Sequence, residues 1–349
     1  RSARESGEIL GGKMDFFLGL DAGGTKTFCL IGDAEGNIRG FGKAGTGNYE
    51  VHGVDHAAGE NRRAVEAALK DAGLALSDIR GIGMGIAGAD LPEDYDMLEK
   101  EIYTPLFGGV PRTFRNDSMG GLRGGTRQPF GIVIACGTGC VCAGRNSKGD
   151  EGRVGGLGGE FGDECSGTDL GREGLQKVWQ ARDGIIPPTR MAGLFVEKGG
   201  CKDVEDLFHK IYRREVTEAD LQPMAKIVFD AAFEGDDAAC DILEKGGRYL
   251  GKMVAGMARR LNMTQDAFEV VMAGSVFKGS SPVLADAMRT VIHRSCPLAT
   301  TVKPIFEPVV GTLLMAIERE FTISDECYDR LSKSLLEAEK KYGVSFKAD

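Results

Sequence analysis

Two short segments place glycine, threonine and a carboxylate where an anion and its counter-cation could be held. The first is Asp21-Ala22-Gly23-Gly24-Thr25-Lys26-Thr27, and the second is Gly137-Thr138-Gly139 between Cys136 and Cys140. Glycine lets a backbone turn sharply and bring its N–H groups close to a negative ligand, and threonine adds a hydroxyl donor. Asp21 ends an apolar run and is placed to hold a hydrated Mg²⁺ rather than the phosphate itself. Fingerprints that set a helix dipole against a phosphate must open a helix. Here FFLGLD (16–21) and FCLIGD (28–33) flank the first turn, and FGIVIA (130–135) and CVCAGRN (140–146) flank the second, so each turn closes a hairpin. Either one alone also reads as an ordinary hairpin. Two such turns in two copies of one pattern suit the gripping of a chain of phosphates.

Other groups could handle the partner of that anion. Asp117 follows the strand-like TFRN and precedes the helix-capable Ser118–Leu122. It reads as an N-cap and as a general base that accepts the proton of an attacking hydroxyl, and the two roles are compatible. Asn48, in AGTGNY, carries a donor and an acceptor suited to hydroxyl-rich ligands, and it also reads as a turn residue. The run from Gly155 to Gly167 is too rich in glycine for a core element; it is either a linker or, given Asp163 and Glu164, a loop folding against a polar ligand. Gly274, in Ala273-Gly274-Ser275-Val276-Phe277, lies between an apolar strand and a helix beginning near Ser281, where a flat base or ribose could approach the backbone.

The elements that must position these groups alternate. Strand, Gly-Thr turn, strand and polar Gly turn occur twice, which predicts a duplicated β-meander opening each of two domains. Between the copies lie a helix over about 54–73, a strand over 79–88, a further helix and a short strand ending at Asn116. After the loop at 155–168 the pattern becomes helical over 171–181, 203–214, 218–233 and 236–262, with a stripe of Ile242, Leu243, Leu250, Val254 and Met257. A strand at 268–274, a helix from Ser281, a strand near Val302–Phe306 and helices over 309–321 and 326–342 complete the chain. Leu313, Leu314, Ile317 and Phe321 form a core face. This alternation is that of the α/β class.

Composition narrows the partners. With 349 residues, 42% of them hydrophobic and 27% charged, the chain fits two globular domains. A net charge of −9 disfavours a nucleic-acid partner, and Arg259-Arg260 and Lys340-Lys341 read as solvated helix faces. Nine cysteines without CxxC spacing read as buried thiols of a reducing cytoplasm rather than as a zinc site. No apolar run reaches membrane-spanning length. Residues 1–13 are polar and patternless and read as a remnant of expression.

In that order of motifs the chain resembles the acetate kinase, sugar kinase, Hsp70 and actin superfamily, over nearly all of 14–320. DAGGTKT resembles its first phosphate motif, ACGTGC its second and VMAGSVFKG its adenosine motif. More narrowly it is similar to the BadF/BadG/BcrA/BcrD-type ATPases, which include N-acetylglucosamine and glucosamine kinases. The resemblance implies two ribonuclease H-like (actin-like ATPase) domains around an interdomain cleft, at 14–127 and 128–308, with the helices of about 309–345 packing back on the first. It implies ATP and Mg²⁺ as cofactors and phosphorylation of a sugar hydroxyl, most simply that of an amino sugar. Asp117 matches the catalytic aspartate, and Asn48, Gly156, Leu157, Gly158 and Asp163 match sugar-binding positions. Gly23, Gly24, Thr25, Lys26, Gly137, Thr138, Gly139, Gly274, Ser275 and Lys278 make up the expected nucleotide-binding set.

Two departures qualify the match: Leu157 stands where the animal enzyme has Trp, and Cys165 replaces a loop glycine. A second reading, an ATPase activator of a 2-hydroxyacyl-CoA dehydratase or benzoyl-CoA reductase system, expects a Gln-Asp that Asn116-Asp117-Ser118-Met119-Gly120-Gly121 lacks. A third is a non-catalytic regulator, which Asp21 and Asp117 disfavour. The expected partners are a sugar and ATP, without nucleic acid or membrane, and a homodimer is left open.

Overall fold

The computed structural model describes residues 14–348, so the segment read as an expression remnant lies outside the described residues. The chain folds as two compact units, one reaching Gly124 and resuming at Phe306, the other spanning Gly125–Ile305.

In the first unit β1 (Phe16–Ala22), β2 (Thr27–Asp33) and β3 (Ile38–Ala44) form an antiparallel meander. After α1 (Tyr49–His52) and α2 (Val54–Ala72), β4 (Ile79–Ile86) pairs parallel to β1. A segment with α3 (Pro92–Leu98), a π-helical turn (Glu99–Tyr103) and α4 (Thr104–Phe107) then leads to β5 (Arg112–Asn116), parallel to β4, and to α5 (Asp117–Gly125). The sheet order is β3-β2-β1-β4-β5.

The second unit repeats this plan. Its strands β6 (Gly131–Cys136), β7 (Cys140–Arg145) and β8 (Glu151–Gly155) form the meander. Helices α6 (Gly167–Arg182), α7 (Met191–Lys198), α8 (Val204–Tyr212), α9 (Met224–Phe233) and α10 (Asp237–Arg260) follow. Then come β9 (Glu269–Ala273), α11 (Val283–Ser295) and β10 (Thr300–Val302), giving the order β10-β9-β6-β7-β8. Two mixed sheets with the same strand order carry the duplication expected from the repeated strand–turn–strand pattern. In both, a strand parallel to the first one of the meander extends the sheet.

The chain then returns to the first unit with α12 (Pro308–Ile317) and α13 (Asp325–Tyr342). Strand alternation gives the first sheet two apolar faces. Leu18, Leu20, Cys29, Ile31, Ile82 and Met84 cluster with Ala57, Ala64 and Ala68 of α2, while Phe17, Phe28 and Leu30 cluster with α12 and α13. Glycines let α12 lie close on the strands: a Cβ at Gly19 would fall 2.4 Å from the Leu313 nitrogen, and one at Gly83 would fall 2.0 Å from the Thr312 carbonyl oxygen.

Several expected boundaries move. The helix expected over 218–233 begins at Met224, because Pro223 has no N–H to donate and restricts the residue before it. The strand expected near Val302–Phe306 is Thr300–Val302. The helix expected to reach 321 ends at Ile317, leaving Phe321 exposed with its ring centroid 5.9 Å from that of Phe17 in an edge-on arrangement. The strand β8 occupies residues between the expected polar turn and the expected glycine-rich loop, which carried no assignment of their own, and ends on the first residue of that loop, Gly155.

Candidate active site

In the first unit, the carboxyl ends of β1, β4 and β5 bring the acidic candidates together. Asp21 is one residue short of the end of β1 and pairs in register with Phe28 and Gly85. Asp117 opens α5 directly after β5. A Cβ at Gly85 would lie 3.4 Å from the Asp117 Cα, so this glycine makes room for the Asp117 backbone. Burial, then the Asp117 charge and more weakly that of Glu307, push the Asp21 carboxyl up to about 8, while Lys26 opposes the rise. A carboxyl placed this way is largely protonated at neutral pH unless a cation joins it.

Asp117 is held by its neighbours. The Asn116 amide donates to Asp90 Oδ1 at 2.9 Å, and the Ser118 hydroxyl donates to Asn116 Oδ1 at 2.6 Å. The same loop after β4 carries Gly88, where a Cβ would lie 2.6 Å from Asn48 Oδ1. Asn48 and the Asp117 peptide thus flank one loop. Asn48 is also the N-cap of α1, its Oδ1 accepting the Glu50 N–H at 2.9 Å.

The first turn has a plain internal logic. The Gly23 N–H donates to the Lys26 carbonyl at 2.9 Å and closes the turn, so Gly24 and Thr25 form its exposed tip. Gly24 has nothing within 4 Å of a built Cβ, and it is not among the glycines with positive φ. Neither backbone sign nor packing requires glycine there, a property it shares with Gly109, Gly121, Gly159 and Gly193. Gly139 in the second turn has the same two properties, and the Gly137 N–H is spent on the Gly139 carbonyl at 2.8 Å.

The second unit gathers the remaining candidates. Gly274 has φ 99°, and a Cβ there would fall 2.2 Å from the Cys136 carbonyl oxygen, so the β9 turn packs on the β6–β7 hairpin. Ser275 Oγ lies 3.7 Å from the Cβ position of Gly137, and Lys278 is exposed on the 3₁₀ turn Ser275–Lys278. Thr138, Gly139, Gly156, Gly158, Asp163 and Ser166 line one cavity of about 300 Å³. Asp163 Oδ2 accepts the N–H groups of Leu157 and Gly158, each at 2.6 Å, and so folds the glycine-rich loop around itself. Leu157 stays exposed. Cys165 keeps φ 71°, a glycine-like conformation, with its sulfur against Gly246. Cys165 thus adopts a left-handed backbone conformation that glycine enters more readily than any other residue.

Glu307 was not singled out by the sequence. Its Oε2 lies 3.6 Å from Lys26 Nζ. A lone Glu before a proline carries no spacing signal, and only the return of the chain at 306 brings it to the first turn.

The cysteines are all buried or half-buried thiols, with burial pushing Cys29 and Cys142 upward and the Cys140 thiol beside it raising Cys136. Among the described residues no helix is long and apolar enough to cross a membrane.

The chain is 28% identical over 317 residues to an N-acetyl-D-glucosamine kinase of Dictyostelium discoideum, covering 87% of this chain and 98% of the relative. It is 27% identical over 303 residues to an N-acetylmuramic acid/N-acetylglucosamine kinase of Clostridium acetobutylicum, with 87% and 98% covered. In fold it is similar to a ROK family glucokinase from Streptomyces griseus in complex with glucose and AMPPNP, at 19% identity and a TM-score of 0.52, over 87% of this chain and 99% of that one. A candidate N-acetylglucosamine kinase from Chromobacterium violaceum reaches a TM-score of 0.63 at 23% identity, over 87% and 99%. A sequence profile spanning residues 18–316 matches as well, and by that match the chain belongs to the BadF/BadG/BcrA/BcrD ATPase family.

Proposed function

We propose that this protein is an ATP-dependent sugar kinase that phosphorylates a hydroxyl of an amino sugar such as N-acetylglucosamine or glucosamine. The observation that carries the reading is the juxtaposition of Asp21 and Asp117 at the carboxyl ends of β1 and β5, where the Asp117 charge adds to burial in pushing the Asp21 carboxyl up. The named activities of the relatives from Dictyostelium and Clostridium support the same reaction and the same substrate class.

Asp117 takes the proton of the attacking hydroxyl, the sugar oxygen forms its bond to the γ-phosphorus, and the bond to the β-phosphate oxygen breaks, releasing ADP. Little covalent chemistry is asked of the protein, so positioning and charge stabilisation carry the rate. Backbone N–H groups and the hydroxyls of Thr25 and Thr138 receive phosphate oxygens, and Lys26 and Lys278 add positive charge. Gly274 and Ser275 border the adenosine. Asn48, Gly156, Leu157, Gly158 and Asp163 shape the sugar site; of these, Asp163 acts largely through the loop it holds.

Asp21 would hold a magnesium ion through water; among the described residues no group of three or more acidic, histidine or cysteine side chains is placed to bind a metal directly. Asp21 is 9% exposed, its carboxyl is raised to about 8, and Asp117 and Glu307 add negative charge near it. Such a carboxyl gains from a cation reached through water. When bound, the ion would neutralise phosphate charge. A coupled ADP-release assay across glucosamine, N-acetylglucosamine, N-acetylmuramic acid, glucose and a polyol tests the function. Stimulation by an amino sugar is expected, and no stimulation by any of them would refute the reading.

A further inference from the structure

We infer that Glu307 is a positioning residue for the phosphate site, acting through Lys26; the inference rests on the nucleotide reading above. Lys26 follows the exposed tip of the first turn. Its ammonium lies 4.2 Å from the centroid of the Phe28 ring and 3.6 Å from Glu307 Oε2. An aromatic face and a carboxylate therefore hold a side chain that would otherwise sample many rotamers.

Glu307 is itself built to do this. It occupies the N-cap of α12, yet its side chain makes no capping hydrogen bond, and Pro308 follows it. Its carboxylate is thus left for Lys26. Its backbone N–H donates to the Phe346 carbonyl at 2.9 Å. The Phe346 side chain is fully buried, with its ring 5.2 Å from Phe41, which in turn lies 5.2 Å from Phe28. Phe346 therefore holds the Glu307 backbone directly and reaches Phe28 through Phe41. The lysine and glutamate side chains are 45% and 27% exposed, so the ion pair adds little to folding stability. Its use is preorganisation: a lysine already fixed loses less freedom when a phosphate arrives.

The test is binding of Mg·ATP by calorimetry, without sugar, to the full chain and to Glu307→Gln, Glu307→Asp, Lys26→Met and the Gln/Met double variant. Lys26→Met should weaken binding about tenfold and Glu307→Gln about fivefold, and the double variant should be no weaker than Lys26→Met alone. Glu307→Asp, with its charge kept and its reach shortened, should fall between wild type and Glu307→Gln. In turnover the Glu307→Gln loss should appear in KM for ATP rather than in kcat, with rescue by raised ATP. Unchanged or tighter ATP binding in Glu307→Gln would overturn the role, as would losses that multiply in the double variant or a loss confined to kcat. Should the wild type bind ATP but turn over no sugar, the kinase reading falls, while the binding comparison still decides the role of Glu307.

Discussion

Asp21 carries a physical tension that can be measured. Its carboxyl is raised from 3.8 to about 8, chiefly by burial and then by Asp117. Between roughly pH 4 and 8 the folded chain therefore keeps a proton that the unfolded chain has released. With more protons bound in the native state, the unfolding free energy falls as pH rises through this window, and levels above it. Asp21→Asn removes that slope. By calorimetry in metal-free buffer at pH 8.5, the variant should melt roughly 5 °C above wild type and match it more closely at pH 5. The same variant should lose at least about 100-fold in turnover. An equal or lower melting temperature at pH 8.5 would show that burial of Asp21 carries no cost. At this scale residue type and position together single out Asp21, Gly24 and Asp117 as candidates. The sequence was silent on Glu307, whose neighbour in space is 281 positions away in the chain (307 − 26).

The site holds together because one helix fits closely on two strands. Along β1 and β4, Gly19 and Gly83 face α12, and a Cβ on Gly83 would meet the Thr312 carbonyl oxygen at 2.0 Å and the Ala316 nitrogen at 2.9 Å. Those contacts are with backbone, so no rotamer change relieves them. Gly83→Ala must push α12 off the sheet and should cost about 3 kcal/mol or more in urea unfolding. Gly24→Ala, with open space around it, should cost under about 1 kcal/mol. Equal costs at the two positions would contradict the packing. The strands that flank each turn were legible because apolar runs with turn residues between them have few other readings. The edge strand β8, Glu151-Gly152-Arg153-Val154-Gly155, was not, since two charges and two glycines in five residues look like loop. Pro223 was present in the sequence as the stop that the expected 218–233 helix ignored.

For the whole molecule, the division of the chain has consequences for folding. Residues 125–305 are continuous, and their core, from Ile132 to Ala299, draws on that segment alone. Expressed by itself, this segment should melt cooperatively, with helical far-ultraviolet circular dichroism. Residues 14–124 alone should not, because Phe17, Phe28 and Leu30 lose their partners Val309, Leu313, Leu331 and Phe346. A cooperative melt for 14–124 would contradict this account. The duplication itself was readable from the two meanders, because the same turn chemistry recurred between the same kinds of strand. The return of the last helices to the first unit was expected from the family resemblance rather than from any local pattern, because tertiary packing decides it.

The central claim is that Asp117 accepts a proton from a sugar hydroxyl while the glycine–threonine turns hold ATP. The most direct measurement compares wild type with Asp117→Asn in single-turnover transfer from ATP to the amino sugar that best stimulates ADP release. The expected result is a loss of about 10³-fold or more in the transfer step, with ATP affinity within about threefold of wild type. Transfer at the wild-type rate in Asp117→Asn would contradict the account.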